Sequence, residues 1–355
     1  MQQLRIEKIG SPRPLPDPKK LGFGKYFTDH MYLLDYSSKQ GWHSPRIVPY
    51  GPMLFEPGAS VLHYGQAMFE GLKAYHGRNG KIRMFRPNMN LNRIAAGAER
   101  ICLPKIPVDL VSEGLKELIR LDERWIPNEP GASLYIRPTL IGTESFLGVR
   151  PADEALFFII LSPVGAYYAE GLDPVRIWVE TDTIRAATGG LGGIKAGANY
   201  ASSLLAAKKA KEKGYAQVLW LDAVEHRWIE EVGTMNVFFK IGDTVITPPL
   251  GGTILNGVTR DSIIHILKDW KVPLQERPIS LDEIREAHKK GTLLEAFGTG
   301  TAAVISPIGE LGLAGGETLK LENARQSPLG HKLYDELTAI QYGDKEAPKG
   351  WIVTL

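Results

Sequence analysis

Cysteine is almost absent from this chain, with Cys102 the only one among 355 residues. This scarcity excludes an internal disulfide framework and a metal site built from several cysteines. Cys102 lies on the apolar side of a helix predicted from Asn90 onward, so we expect a buried, unreactive thiol. The eight histidines show no spacing of metal ligands, and no Ser-His-Asp arrangement can be argued from the sequence. We therefore expect no metal site.

An excess of charge and a long apolar run are missing as well. The 42 lysines and arginines nearly balance the 40 aspartates and glutamates, so the net charge favours neither nucleic acid nor an anionic membrane as a partner. No apolar run reaches the roughly 18 residues that a membrane span requires. The first seven residues lack the apolar segment of a secretory signal and do not resemble a transit peptide. These features favour a cytoplasmic protein.

The length of the chain predicts two domains. The first half is predicted to contain strands, one hairpin and two helices, at 30–36, 72–76 with 81–85, 134–137, 155–161, 90–101 and 112–125. The second half is predicted to contain strands and four helices, the helices at 200–213 and 259–270 and after 280 and 327. We therefore expect a mixed α+β domain over 1–164, an interdomain loop over 165–175 and a larger domain over 176–355.

The most informative segment is 189–200, in which Lys195 is surrounded by five glycines and by small or aliphatic residues. Glycines allow a backbone to approach a bulky ligand closely. An amine held among apolar groups is driven toward its neutral form, and a neutral amine is a nucleophile that can react with an aldehyde. The alternative is a glycine-rich turn with an incidental lysine, and the segment alone does not decide between them.

Three further loops combine small residues and hydroxyls beside a strand or a helix start, at 231–234, 255–260 and 298–302. The free N–H groups of 257–259 and 300–302 could bind an anion, although each segment alone is more typical of an ordinary loop. Glu230 and Glu231 are adjacent acids before an apolar strand, so one side chain is expected to be solvated and one to point inward. The inward glutamate could hold the protonated nitrogen of a pyridine cofactor. The alternative is a capping or salt-bridging glutamate.

Two arginines and four aromatic residues complete the candidate set. Arg93 and Arg137 are candidate binders of phosphate or carboxylate, because a guanidinium matches these planar anions. An apolar wall could be formed by four aromatic side chains, for which core packing is the alternative: Tyr64, Phe69, Tyr135 and Tyr167.

In these segments the chain resembles the branched-chain aminotransferases, which are pyridoxal-phosphate enzymes of fold-type IV. The matching segments follow one another in the family's order over nearly the whole chain: 63–73, 85–93, 135–138, 142–144, 189–200, 231–236 and 298–302. The resemblance implies the fold-type IV fold, a mixed α/β arrangement of two domains with the cofactor at their interface. It also implies pyridoxal 5'-phosphate (PLP) as the cofactor.

The resemblance assigns roles to individual residues. Lys195 would be the catalytic lysine that links to PLP and moves the substrate proton, and Glu231 would be the partner of the ring nitrogen. Tyr200 would bond the 3-oxygen of the cofactor and Thr234 would lie near the ring. The phosphate would be held by Arg93, Val258, Thr259 and Thr301. Substrate would be bound by residues of both domains: Phe23, Tyr64, Phe69, Tyr135, Arg137, Val149, Tyr167, Thr301 and Ala302.

The function implied is transamination of L-leucine, L-isoleucine and L-valine with 2-oxoglutarate, by a homodimer in which Val149 enters the partner's pocket. One alternative is another reaction on the same fold, D-amino-acid transamination or aminodeoxychorismate lysis. A second is a non-catalytic binder of a phosphorylated metabolite. Some members of the family carry a Cys-x-x-Cys redox pair where this chain has Ala303 and Ser306. Thiol regulation of that type is therefore not expected.

Overall fold

The structure is a computed structural model that describes residues 3–78, 80–165 and 172–355. These residues form two units. The first contains 3–78, 80–165, 195–197 and 339–355, and the second contains 172–194 and 198–338. Each unit has its own nine-stranded sheet.

The first part of the chain forms eight strands and three α-helices among its described residues. The strands are β1 (Arg5–Ile6), β2 (His30–Ser37), β3 (Gly41–Pro49), β4 (Ala67–Phe69), β5 (Leu72–His76), β6 (Ile82–Phe85), β7 (Ser133–Gly142) and β8 (Glu154–Val164). The helices are α1 (Ser60–Tyr64), α2 (Pro87–Ala98) and α3 (Val108–Leu121).

The described residues of the rest of the chain add ten strands and four α-helices. The strands are β9 (Val175–Val179), β10 (Gln217–Leu221), β11 (Ile229–Val232), β12 (Met235–Ile241), β13 (Thr244–Thr247), β14 (Leu274–Glu276), β15 (Leu293–Gly300), β16 (Val304–Gly312), β17 (Thr318–Lys320) and β18 (Ile352–Thr354). The helices are α4 (Gly197–Glu212), α5 (Val258–Asp269), α6 (Leu281–Lys289) and α7 (Pro328–Tyr342).

The sheet of the first unit has the order β1-β3-β2-β8-β7-β5-β6-β18, with β4 paired to β7. Side chains alternate along a strand, so successive residues of β7 face opposite sides of the sheet. Leu134, Ile136 and Leu140 belong to the core that α2 and α3 also form. Tyr135 and Arg137 consequently lie on the other face of β7.

Helix α3 packs very closely on strand β2. Gly114 of α3 lies against the buried ring of Tyr32, and a Cβ at this position would be 2.3 Å from a ring carbon. Only glycine fits here without displacing the ring, so a poor helix former is retained in the middle of the helix.

The sheet of the second unit has the order β11-β10-β9-β16-β15-β12-β13-β14, with β17 paired to β16. Strand β11 also pairs with β12, so six strands, from β11 round to β12, close into a ring. The predicted loops at 231–234 and 298–302 overlap the ends of β11 and β15. These two strands pair with β12 in the ring.

The structure departs from the sequence predictions at the end of the chain. Strand β18 pairs antiparallel with β6, and the carbonyl of Trp351 accepts a hydrogen bond of 2.6 Å from the amide of Arg86. Residues 339–355 therefore belong to the first unit, whereas the sequence placed all of 176–355 in the second domain. A three-residue strand carries no sequence signal for its partner, so the sheet that it joins could not be predicted.

The prediction for Cys102 is wrong, because its thiol-bearing side chain is exposed. Helix α2 begins at Pro87, three residues before the predicted start, and ends at Ala98. A 3₁₀ turn follows, and Cys102 has a left-handed φ of 54°. The helical periodicity used to place Cys102 on the apolar side does not extend that far. Helix α3 likewise lies four residues earlier at each end than the predicted 112–125.

Candidate active site

Strand β4 holds Lys195 in the first unit. The amide of Phe69 donates a 3.1 Å hydrogen bond to the carbonyl of Lys195, and Met68 is bridged to Ala196. The Nζ atom of Lys195 lies 4.8 Å from the centroid of the Phe69 ring. The amine is therefore placed by backbone pairing on one side and by an aromatic ring on the other.

The surroundings of the Lys195 amine are charged, although its neighbours along the chain are apolar. Burial lowers the pKa of Lys195 to about 8. The carboxylate of Glu70 opposes this shift, and the guanidinium groups of Arg93 and Arg137 add to it. A large fraction of the amine is therefore neutral near pH 8, the direction predicted from the glycine-rich segment.

Glu70 was not selected from the sequence, yet it organises this part of the site. Its carboxylate is fully buried and accepts hydrogen bonds from Arg93 Nε at 2.6 Å and Arg93 Nη2 at 2.8 Å. Asn90 Nδ2 and the amide of Gly71 donate to the same carboxylate at 2.8 and 3.1 Å. Burial raises the pKa of Glu70, but these donors and the charge of Arg93 outweigh it and hold the pKa below its usual value.

Tyr135 and Arg137 form a second polar pair beside the lysine. Arg137 Nη2 donates a 3.0 Å hydrogen bond to the hydroxyl of Tyr135, and its guanidinium lies 4.5 Å from the Phe69 ring centroid. The ring of Phe23 packs edge-on against Tyr135 at 4.8 Å. The first unit thus brings together six residues that the sequence selected: Phe23, Phe69, Arg93, Tyr135, Arg137 and Lys195.

Two other predicted substrate residues, Tyr64 and Val149, are exposed to solvent. The hydroxyl of Tyr64 donates to the carbonyl of Leu147, and Tyr64 is 44% exposed. Val149 is 87% exposed, on the loop between β7 and β8. Tyr167 and residue Asn79 of the predicted hairpin turn lie outside the described residues.

In the second unit, Glu231 is buried together with its neighbour Glu230. One solvated and one inward acid were expected from the pair, but β11 is enclosed on both faces. Glu231 Oε1 accepts hydrogen bonds from Asn236 Nδ2 at 2.9 Å and from the amide of Leu255 at 3.3 Å. Its Oε2 is paired with Arg185 Nη2 at 2.7 Å. Arg185 was missed because it lies in a loop, far along the chain from Glu231, and no local pattern indicates this pairing.

The glycines before Lys195 have a structural reason within this unit. A Cβ on Gly192 would lie 2.3 Å from the carbonyl oxygen of Thr253, and a Cβ on Gly193 would lie 3.1 Å from that of Gly252. The segment therefore packs backbone against backbone, which a larger residue at 192 would prevent.

Helix α5 leaves the N–H groups of its first turn without acceptors inside the helix. Gly257 is its N-cap, and Val258 and Thr259 form its buried first turn. The positive end of a helix dipole and such amides together suit an anion.

Thr301 and Ala302 lie in the turn between β15 and β16, half-buried, and Thr234 lies exposed in the turn between β11 and β12. Tyr200 is half-buried near the start of α4.

Several buried polar atoms have no hydrogen-bond partner among the described residues. They include Nε of Arg137 in the first unit and Oγ1 of Thr299 in the second. Buried polar atoms are seldom left without partners, because the cost is about 1–3 kcal/mol each. Both therefore fit a polar ligand, an anion in the case of Arg137.

The described residues contain no group of three or more metal-ligating side chains placed to hold an ion. Among the helices that the structure describes, none has the length and apolar character needed to cross a membrane.

Residues 67–311 match the amino-transferase class IV family. The chain is also 51% identical to branched-chain-amino-acid aminotransferase 2 of Bacillus subtilis, over 99% of this chain and 96% of that protein. The chain belongs to the branched-chain aminotransferases of class IV.

Solved structures of this aminotransferase family share the fold. The branched-chain aminotransferase of Thermoproteus uzoniensis, crystallised with norvaline, aligns with a TM-score of 0.75 at 26% identity, over 92% of this chain and 99% of that one. The branched-chain amino acid aminotransferase of Escherichia coli also aligns with a TM-score of 0.75 at 26% identity, over 91% of this chain and 98% of that one. The expected fold-type IV fold is therefore confirmed. These relatives favour the branched-chain aminotransferase over the D-amino-acid and lyase alternatives.

Proposed function

We propose that this aminotransferase uses PLP to transfer the amino group of L-leucine, L-isoleucine and L-valine to 2-oxoglutarate, giving branched-chain 2-oxo acids and L-glutamate. The observation that carries the proposal is the Lys195 amine. Its pKa is lowered to about 8, and it lies at the same aromatic ring as Arg137, whose Nε has no partner among the described residues. A nucleophilic amine beside a carboxylate-binding guanidinium suits an amino-acid substrate.

Polar groups within each unit suit parts of PLP, which supplies an aldehyde and an electron-withdrawing pyridine ring when it is bound. Lys195 Nζ would bind the aldehyde carbon, and Glu231 would accept a hydrogen bond from the ring nitrogen. Tyr200 would bond the 3-oxygen and Thr234 would lie near the ring. The phosphate would be bound by Arg93, Thr301 and the N–H groups of Val258 and Thr259.

The proton transfers are assigned to Lys195. A neutral Nζ would accept a proton from the α-carbon of the substrate and would then donate it to the aldehyde-derived carbon of the cofactor. General acid–base catalysis of this kind contributes about 10²–10⁴-fold to the rate. Glu70, ionised and fixed by Arg93, keeps a negative charge near the amine and so favours its protonated form after the transfer.

Substrate orientation is assigned to Tyr135 and Arg137, with the backbone of Thr301 and Ala302. Arg137 would hold the α-carboxylate through its guanidinium, which Tyr135 fixes in place. The aliphatic side chain would contact Phe23, Phe69, Tyr64 and Tyr167. A non-polar pocket of this kind accepts several branched side chains because one methylene changes binding by only about 1–3 kcal/mol.

The test is an absorbance spectrum of the purified holoenzyme before and after each amino acid. We expect L-leucine to bleach the visible band of bound PLP, and D-alanine to leave it unchanged. Bleaching by D-alanine alone would instead support the D-amino-acid enzyme. Borohydride reduction followed by peptide mass analysis should leave a pyridoxyl group on Lys195, and a Lys195→Ala variant should lose both signals. A protein that retained no such group would be a non-catalytic binder.

A homodimer is part of the proposal. Exposed apolar side chains cluster where α1 meets the loop after β7, since Ser145 is bridged to Ala59 and the amide of Phe146 bonds Gly58. The exposed members of this cluster are Leu62, Tyr64, Phe146, Leu147 and Val149. Exposed apolar patches of this kind are typical of protein interfaces. A Val149→Asp variant should elute as a monomer in size-exclusion chromatography with light scattering, where the wild type elutes as a dimer.

A cytoplasmic location, and the lack of a nucleic-acid or membrane partner, stay predictions from composition.

A further inference from the structure

Two side chains of the second unit link the Glu231 carboxylate to the segment 252–257. Arg185 pairs with Glu231 at 2.7 Å through Nη2 and donates a 2.8 Å hydrogen bond to the carbonyl of Thr253 through Nη1. Asn236 Nδ2 donates at 2.9 Å both to Glu231 Oε1 and to the carbonyl of Leu255. Each side chain therefore contacts the carboxylate and the segment at the same time.

The segment 252–257 leads directly into the first turn of α5. Gly257 is the N-cap of that helix, and a Cβ at this position would lie 2.1 Å from Oδ1 of Asn236. On its other side the segment packs against Gly192 and Gly193. The start of α5 is thus held in place relative to Glu231 by contacts on both sides.

We propose that Arg185 and Asn236 are positioning residues, which fix the Glu231 carboxylate relative to the first turn of α5 so that both bind one cofactor molecule. The inference rests on the proposed function, in which Glu231 contacts the ring nitrogen and α5 the phosphate. In PLP these two groups are joined by a rigid ring and a short arm, so their separation varies little. A protein that binds both groups of PLP has a higher affinity for it when its own two binding groups are held at a matching separation.

Arg185 also has an electrostatic role. Its side chain and that of Glu231 are only 6% and 3% exposed, so their charges interact with little screening by water. The positive guanidinium attracts the Glu231 carboxylate, and this carboxylate would accept a hydrogen bond from a protonated ring nitrogen. Lysine would keep the charge, but an ammonium group lacks the planar fork that reaches two acceptors.

The experiment compares Arg185→Met, Arg185→Lys and Asn236→Ala with Thr247→Val. Thr247 is a matched control, because its buried hydroxyl donates a 2.8 Å hydrogen bond to the carbonyl of Val237, next to Asn236, on the neighbouring strand. For each variant three quantities are measured: the Kd for PLP by fluorescence titration of the apoprotein, kcat and KM for L-leucine, and the thermal midpoint of the apoprotein.

For Arg185→Met and Asn236→Ala we expect PLP affinity and kcat to fall by roughly 10- to 100-fold, as when residues that orient a metal ligand are removed. The KM for L-leucine should stay within about threefold, because the substrate carboxylate is assigned to Arg137. Arg185→Lys should recover part of the loss, and Thr247→Val should lower only the thermal midpoint.

The outcomes separate this inference from the proposed function. A wild-type protein that binds no PLP would overturn both. If the wild type binds PLP and Arg185→Met keeps its Kd and kcat, only the positioning role is rejected. Equal losses of affinity in Thr247→Val would also reject it, since the effect would then come from general weakening of the sheet.

Discussion

Gly71 and Tyr135 approach each other so closely that a Cβ on Gly71 would lie 2.1 Å from the phenolic oxygen of Tyr135. The two residues are on neighbouring parts of the first sheet, and the same hydroxyl accepts the hydrogen bond of Arg137. Tyr135 can occupy this position only because Gly71 has no side chain. The placement of the Tyr135–Arg137 pair, predicted to bind substrate, therefore depends on this glycine.

Replacement of Gly71 tests this relationship. In Gly71→Ala the added methyl group has to displace the Tyr135 ring, which breaks its contact with Arg137. We expect KM for L-leucine to rise by about 10-fold, since one hydrogen bond to a charged group contributes about 1.5–3 kcal/mol. Steady-state kinetics check the result. Gly51→Ala is the control, because a Cβ there would meet nothing within 4 Å.

Removal of the Arg137 charge should weaken substrate binding more strongly. For Arg137→Met we expect kcat/KM for L-leucine to fall by roughly 10²-fold, in line with the loss of a charge-assisted pair. Arg137→Lys should recover only part of it, because a lysine does not bind a carboxylate through two parallel hydrogen bonds. An unchanged kcat/KM in both variants would show that the substrate carboxylate is held elsewhere.

The lowered pKa of Lys195 predicts a pH-dependent stability of the apoprotein. In the unfolded chain the amine titrates near its ordinary value, so between pH 8 and about 10.5 the unfolded state binds more protons than the folded state. The cost of burying the charged amine is complete below pH 8 and disappears as pH rises through that window. The apoprotein should therefore gain stability with increasing pH relative to Lys195→Met.

Urea unfolding of both proteins at several pH values measures this difference. We expect the gap between them to be constant below pH 8 and to change by roughly 1–3 kcal/mol up to pH 10.5. The pKa of the buried Lys73 is also lowered to about 8, but this residue is present in both proteins and cancels. A gap that does not vary with pH would contradict the lowered pKa.

Gly114→Ala should destabilise the protein although it improves the helix. Alanine is favoured over glycine in a helix by about 1 kcal/mol, but the new Cβ would lie 2.3 Å from the buried Tyr32 ring. Overpacking of a core costs about 1–3 kcal/mol, so we expect a net loss of up to about 2 kcal/mol in denaturant unfolding. Higher stability in the variant would mean that the ring moves aside freely.

Residue types and local spacing predicted much of the first unit's part of the site. Lys195 was selected from its glycine-rich segment. Phe69, Tyr135 and Arg137 were candidates by residue type, and the family resemblance added Phe23. Strand β5 was predicted at its observed bounds, and most helices within a few residues. These features depend on contacts that are local in the chain.

What could not be predicted depends on contacts between distant residues. Glu70 meets Arg93 across 23 residues, and Glu231 meets Arg185 across 46. A buried carboxylate and a solvated one look the same in a sequence, so neither pairing has a local signal. Cys102 failed for a related reason, because a left-handed turn ended the periodicity on which its burial was predicted.

The pairing of β18 with β6 means that the first sheet is completed by a strand that is synthesised after every described strand of the second unit. During translation the whole of the second unit emerges from the ribosome before that strand does. Until then β6 remains an unprotected sheet edge, open to the strands of other chains. A nascent or truncated chain lacking 352–354 should therefore aggregate more readily than the finished protein, even with every predicted site residue present.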